Sequence, residues 1–203
     1  MKENNWFDPF YIQSHLNEEE SNIQKNVRDF CNNELKPTVV ERNRKNEFDQ
    51  SLYPKFGSLG VLGQTVKTHG GSGTSNLAYG LVAYEFEKID SSYRSSISVQ
   101  SSLVIHPINE FGSQEQKDKY LPPLIKGEKI GCFGLTESEA GSDPASMKTS
   151  FKKTKDGYIL NGSKNWITNA PIADIFIIWA IEEKKDHKSI KGFIIEKNTE
   201  GLN

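Results

Sequence analysis

The sequence has 203 residues, with Lys+Arg 25 against Asp+Glu 27 and a formal net charge of −2. That balance gives no general attraction to nucleic acid or anionic membrane. Hydrophobic residues at 35% and aromatics at 10% suffice for a core, and the longest apolar run, Ile175 to Ile181, falls far short of the roughly 20 residues a bilayer span needs. A soluble chain of one or two domains is expected.

The first 127 residues read as helical. Asn17 and Glu20 have the spacing of a capping box. Ile23, Val27, Phe30, Cys31 and Leu35 follow at helical intervals until Pro37. A turn-rich stretch with Pro54, Gly57, Gly60 and Gly63 leads to the loop His69-Gly-Gly-Ser-Gly-Thr74. The loop lacks phosphate-loop spacing and reads as a flexible connection. A second helix is predicted over Asn76–Ile89, with Leu77, Leu81, Val82, Phe86 and Ile89 on one face. A third carries Ile97, Leu103, Val104, Ile108 and Phe111 and looks buried throughout. Within it, His106-Pro107 reads as a core histidine at a kink rather than a metal ligand. Ser113 and Gln116 open a fourth helix that Gly127 ends.

Beyond Gly127 the pattern changes to strands: Lys129–Thr136, a hairpin around Asp156-Gly157, Ile175–Ile181 and Lys191–Lys197. With no βαβ alternation, the fold class expected is α+β. An all-α domain over 1–127 would precede an antiparallel, barrel-like β-domain over 128–203 that stops with an open edge.

Cys31 and Cys132 lie far apart, without a CxxC or His pair, so a zinc site or disulfide framework is not expected. The N-terminus from Met1 to Trp6 has no apolar targeting core, and a bacterial cytoplasmic address is the simplest. Ser142, in Ala140-Gly-Ser-Asp-Pro144, is not in a nucleophile elbow. Its segment reads as a polar loop whose backbone could approach a ligand closely. Arg94 and Glu87, close to two helical turns apart, can share a face, either as a structural ion pair or as a clamp for a substrate anion. Phe133 and Trp166 lie near hydroxyls, a pairing that suits a planar heteroaromatic ligand as well as simple core packing.

Four segments, Gly131-Cys-Phe-Gly-Leu-Thr-Glu137, Gly141-Ser-Asp-Pro144, Leu160-Asn-Gly-Ser-Lys-Asn-Trp-Ile-Thr-Asn169 and Ala173-Asp174, together resemble the acyl-CoA dehydrogenase family of flavoenzymes. The run Tyr93-Arg-Ser-Ser-Ile-Ser-Val-Gln-Ser-Ser-Leu-Val-Ile-His-Pro107 is most similar to its glutaryl-CoA dehydrogenase branch. The resemblance covers essentially the whole chain, but only the N-terminal helical and middle β-domains of a three-domain family.

The resemblance implies FAD as cofactor. Phe133, Gly134, Leu135 and Thr136 would run beside the flavin, with the Thr136 hydroxyl on its pyrimidine side. Trp166, Ile167 and Thr168 would pack on the other side, Thr168 near N5. Ser142 would touch both cofactor and acyl-CoA. Arg94 and Ser95 would hold the distal carboxylate of glutaryl-CoA, with Glu87 orienting Arg94.

The reaction so implied is α,β-dehydrogenation followed by loss of CO2 to give crotonyl-CoA, with electrons passed to electron-transferring flavoprotein by a homotetramer. The family's Glu base belongs to the C-terminal helical domain, so no catalytic residue is assigned before Asn203. Glu87, Glu137 and Glu139 do not match its motif. The chain alone is expected to be inactive and to be part of a longer polypeptide. Two alternatives stay open: a dehydrogenase for another short-chain acyl-CoA, and a non-catalytic flavin- or acyl-CoA-binding module.

Overall fold

The computed structural model describes residues 8–203; the Met1–Trp6 reading lies outside them. Helix α1, Glu18–Phe30, starts at the expected capping box. The Asn17 side chain accepts from the Glu20 N–H at 2.8 Å, and the Glu20 carboxylate accepts from the Asn17 N–H at 3.2 Å. It passes into a π-helical turn, Cys31–Leu35, that buries both end residues. The turn-rich stretch holds helices that the sequence reading missed, α2 (Val39–Lys45) and α3 (Leu52–Ser58). Pro54 sits in the first turn of α3, where its missing N–H breaks no helical bond. Tyr53 and Phe56 beside it are fully buried.

Helix α4, Asn76–Glu87, follows the predicted second helix, but Leu77 faces outward. The third is not one uniformly buried rod. It consists of α5 (Ser91–Ser98), a π-helical segment (Val99–Ile105) and α6 (His106–Phe111). Ile97, Val104 and Ile108 point inward, whereas Leu103 and Phe111 are exposed. His106 is exposed as well, which corrects the core-histidine reading: Val104, Ile105 and Ile108 occupy the inner face and leave position 106 outside. Helix α7, Gln114–Ile125, has the predicted Ser113–Gln116 box. Gly127 ends that region at φ +71, where a Cβ would lie 2.0 Å from the Tyr53 carbonyl oxygen.

The β-region is a five-stranded mixed sheet, which corrects the expectation of an antiparallel, barrel-like domain. Its strands are β1 (Gly131–Gly134), β2 (Ser150–Lys153), β3 (Tyr158–Asn161), β4 (Ile175–Glu182) and β5 (Lys191–Glu196). β4 is central. It pairs in parallel with β1 at Gly131↔Ile175 and with β2 at Phe151↔Glu182, and antiparallel with β5. The sheet is not closed. Parallel pairing needs only a long enough crossover, and the β2–β3 hairpin supplies it between β1 and β4 without an α-helix. Periodicity cannot register that arrangement.

Helices and sheet share one apolar core that runs from Phe56 and Phe86, whose rings meet at 5.4 Å, through Val104 to Ile130, Ile175 and Ile177. At the seam, a Cβ on Gly131 would lie 2.5 Å from Val104 Cγ1, so β1 can approach the π-helical segment only with glycine there. Gln100, fully buried on that segment, donates to the carbonyls of Leu124 and Lys129 and accepts from the Gly131 N–H at 2.7 Å. Every polar group it brings inside is thereby satisfied.

Cys31 and Cys132 are buried free thiols, each pushed up to about 12 by burial, with Glu85 adding to the rise at Cys31. Among the described residues no acidic, His or Cys cluster could hold a metal ion, and no helix is long and apolar enough to cross a membrane.

Candidate functional site

Two of the segments singled out in the sequence lie side by side. The chain leaving β1 runs through Leu135 and Thr136, and the chain leaving β3 returns along it. The Asn165 N–H donates to the Thr136 carbonyl at 2.9 Å. The Lys164 ammonium donates to the Leu135 carbonyl at 3.0 Å and to Glu137 Oε1 at 2.7 Å. Glu137 also accepts from the backbone N–H groups of Lys148 and Thr149, at 2.7 and 3.0 Å. Burial pushes the Glu137 carboxyl up, but these donors outweigh it and hold the group at about 2. A carboxylate so occupied is unsuited to accept a proton near neutral pH.

Past Asn165 the backbone turns through two left-handed residues, Trp166 at φ +59 and Asn169 at φ +71. A bulky side chain rarely adopts that conformation. Here it presents the Trp166 indole almost wholly to solvent, at 92% exposure. Ile167 is half-buried and Thr168 exposed. Asn169 closes the segment from inside: its amide donates to the Gly131 carbonyl at 3.1 Å, and its oxygen accepts from the Ser96 hydroxyl at 2.9 Å. Ser96 in turn pairs with the Tyr53 hydroxyl at 2.7 Å. The loop is thus pinned at one end to the segment leaving β1 and at the other to β1 itself and to α5.

Phe133 is half-buried and meets Trp179 edge-on at 5.9 Å. A Cβ on Gly134 would collide with Ile178 Cδ1 at 2.5 Å. Ser142 lies exposed on the loop that follows Ala140, whose backbone pairs with that of Glu137 in both directions.

A cleft of about 600 Å3 opens between α5 and this loop, lined in part by Phe48, Ser92, Ser95, Thr168, Asn169 and Ile172. It brings together one residue expected on the substrate side, Ser95, and one expected on the flavin side, Thr168. Arg94 is not among the residues lining it. The Arg94 Nε donates to Glu87 Oε2 at 2.7 Å, and the Ser91 hydroxyl donates to the other Glu87 oxygen at 2.6 Å. Those two bonds, Ser91 first, hold the exposed Glu87 carboxyl below the usual carboxylate range.

Among the described residues the hydroxyls of Ser95, Thr136, Ser142 and Thr168 have no protein partner. Free hydroxyls around half-buried and exposed aromatic residues fit the ring edge and faces of a flat heteroaromatic group such as a flavin. The sequence reading missed Lys164, Asn169 and Gln100 as organising residues. All three lie inside quoted segments, but residue type alone does not reveal which backbone groups they reach.

The chain matches the family models described as acyl-CoA dehydrogenase, N-terminal domain, over residues 17–128 and acyl-CoA dehydrogenase, middle domain, over residues 132–203. It is 40% identical over 189 residues to a short-chain-specific acyl-CoA dehydrogenase of Clostridium acetobutylicum, covering 92% of this chain and 50% of that protein. It is 38% identical to the mitochondrial isovaleryl-CoA dehydrogenase of Pongo abelii, covering 92% and 46%. Among solved structures it superposes with a TM-score of 0.91, at 40% identity, on a glutaryl-CoA dehydrogenase from Mycobacterium smegmatis in complex with FADH2, covering 96% and 49%. The chain spans about half the length of the curated relatives it matches.

Proposed function

The chain belongs to the acyl-CoA dehydrogenase family, and from that premise we propose that it contributes to FAD-dependent α,β-dehydrogenation of an acyl-CoA thioester, with glutaryl-CoA as the substrate. The observation that carries this reading is that Ser95 and Thr168 open on the same cleft. One helix can hold the acyl chain there while the facing loop holds the oxidant. FAD, when bound, supplies the two-electron oxidation.

This chain's own residues do the holding. Thr136 and Thr168 offer hydroxyls to ring edges, and Trp166 and Ile167 offer apolar faces. Ser142 lies on an exposed loop that could reach both ligands. Arg94 keeps four guanidinium N–H groups beyond the one given to Glu87, enough for the bidentate grip that a dicarboxylic acyl chain requires. The proton-abstracting base is not assigned to Glu87 or Glu137, both of which are engaged. Decarboxylation to crotonyl-CoA, electron transfer to electron-transferring flavoprotein and a homotetramer complete the reading.

A second reading keeps the dehydrogenase but gives it another short-chain acyl-CoA. It is favoured by Arg94 standing outside the cleft lining with its charge matched by Glu87. Arg94→Gln separates the two. Loss of a carboxylate clamp lowers kcat/KM for glutaryl-CoA about a hundredfold and leaves butyryl-CoA within a factor of about three. Equal losses on both substrates leave Arg94 a structural residue and the substrate a monocarboxylic acyl-CoA.

A further inference from the structure

We infer that Lys164 is a positioning residue for bound FAD, acting through Leu135 and Glu137; this rests on the cofactor reading above. The Lys164 stem crosses the exit of β1: a Cβ built on Gly134 would lie 3.3 Å from Lys164 Cγ. Its ammonium then reaches the Leu135 carbonyl and the Glu137 carboxylate. One side chain therefore spans Gly134, Leu135 and Glu137, while the next residue, Asn165, bonds Thr136 through its backbone. The offset between Phe133–Thr136 and Trp166–Thr168 is set by these contacts.

The pair is buried, at 7% exposure for the Lys164 side chain and 9% for that of Glu137. Burying two charges is a poor way to gain stability, because their desolvation offsets their attraction and an apolar pair would do as well. What a buried pair with directional bonds does provide is a single geometry. The third ammonium proton faces only the Met147 sulfur, at 4.0 Å. That weak acceptor leaves the Leu135 and Glu137 bonds to fix the ammonium's position.

The test uses the FAD-loaded protein and three readouts: the FAD dissociation constant, the visible circular dichroism of the flavin, and the melting temperature of the apoprotein. Lys164→Met alone strands a buried carboxylate and threatens folding. The decisive variants are therefore the neutral double variant Lys164→Met/Glu137→Gln and the charge-preserving Lys164→Arg. The double variant is expected to weaken FAD binding about tenfold, as loss of a supporting partner behind a ligand contact does. It should also change the flavin dichroism, and Lys164→Arg should restore part of both. A merely structural role would lower the melting temperature and leave dichroism and affinity alone, and that result overturns the inference. If the unaltered protein takes up no FAD, the proposed function fails and the positioning role fails with it.

Discussion

The backbone N–H of Asn165 donates to the Thr136 carbonyl at 2.9 Å, across 29 positions of sequence that hold an entire β-hairpin. This one bond makes the exit of β1 and the Trp166 loop two walls of a single surface. Lys164 on one side and Asn169 on the other extend the junction, so that the loop cannot slide along the strand without breaking buried polar bonds. The arrangement holds exposed aromatic and hydroxyl groups in a fixed relation through groups that are not themselves exposed.

Asn169 carries the inner end of that junction. Asn169→Ala removes the buried bond to the Gly131 carbonyl and the one from the Ser96 hydroxyl, which keeps its pairing with Tyr53, and puts alanine at φ +71. The expected destabilisation is about 2–4 kcal/mol. Asn169→Gly, which tolerates the backbone, should recover about 1 kcal/mol of that loss. Urea unfolding of the three proteins measures both figures, and an unchanged midpoint for Asn169→Ala would contradict the bonding described here.

Acid stability follows from Glu137. Its carboxyl sits at about 2 in the folded chain against an ordinary 4.5. A lowered folded value stabilises the native state above the unfolded value, and that contribution disappears as pH falls toward the folded one. About 3 kcal/mol should therefore be lost between roughly pH 5 and pH 2. Unfolding free energies followed across that range should show a shallower acid limb in Glu137→Gln. Superimposable limbs would mean that Glu137 titrates normally.

Trp166 reports on the proposed flavin face. At 92% exposure its indole should react readily with N-bromosuccinimide, and FAD loading should slow that oxidation several-fold. Mass spectrometry of the Trp166 peptide measures the rate with and without FAD. Equal rates would remove Trp166 from the cofactor surface.

Much of the scaffold was legible where a local pattern has one physical meaning. The Asn17–Glu20 and Ser113–Gln116 boxes, the Asp156-Gly157 hairpin and the uninterrupted apolar run that became β4 each specify their structure within a few residues. α3 was not legible, because Pro54 and Gly57 read as breakers although proline fits a first turn. Nor was the direction of β1 relative to β4, which depends on a crossover of 40 residues rather than on either strand. Of the candidate site, the aromatic and hydroxyl groups lay in recognisable segments. The residues that hold them, Lys164, Asn169 and Gln100, act through backbone carbonyls distant in sequence, and composition does not encode such contacts.

The most direct test of the proposed function is to titrate the FAD-loaded protein anaerobically with glutaryl-CoA, butyryl-CoA and isovaleryl-CoA while following the visible absorbance of oxidised flavin. The account predicts bleaching by an acyl-CoA thioester at stoichiometric concentration, with glutaryl-CoA the most effective. Tight binding of FAD with no bleaching by any thioester would contradict it, and would mark the protein as a flavin binder that does not oxidise acyl-CoA.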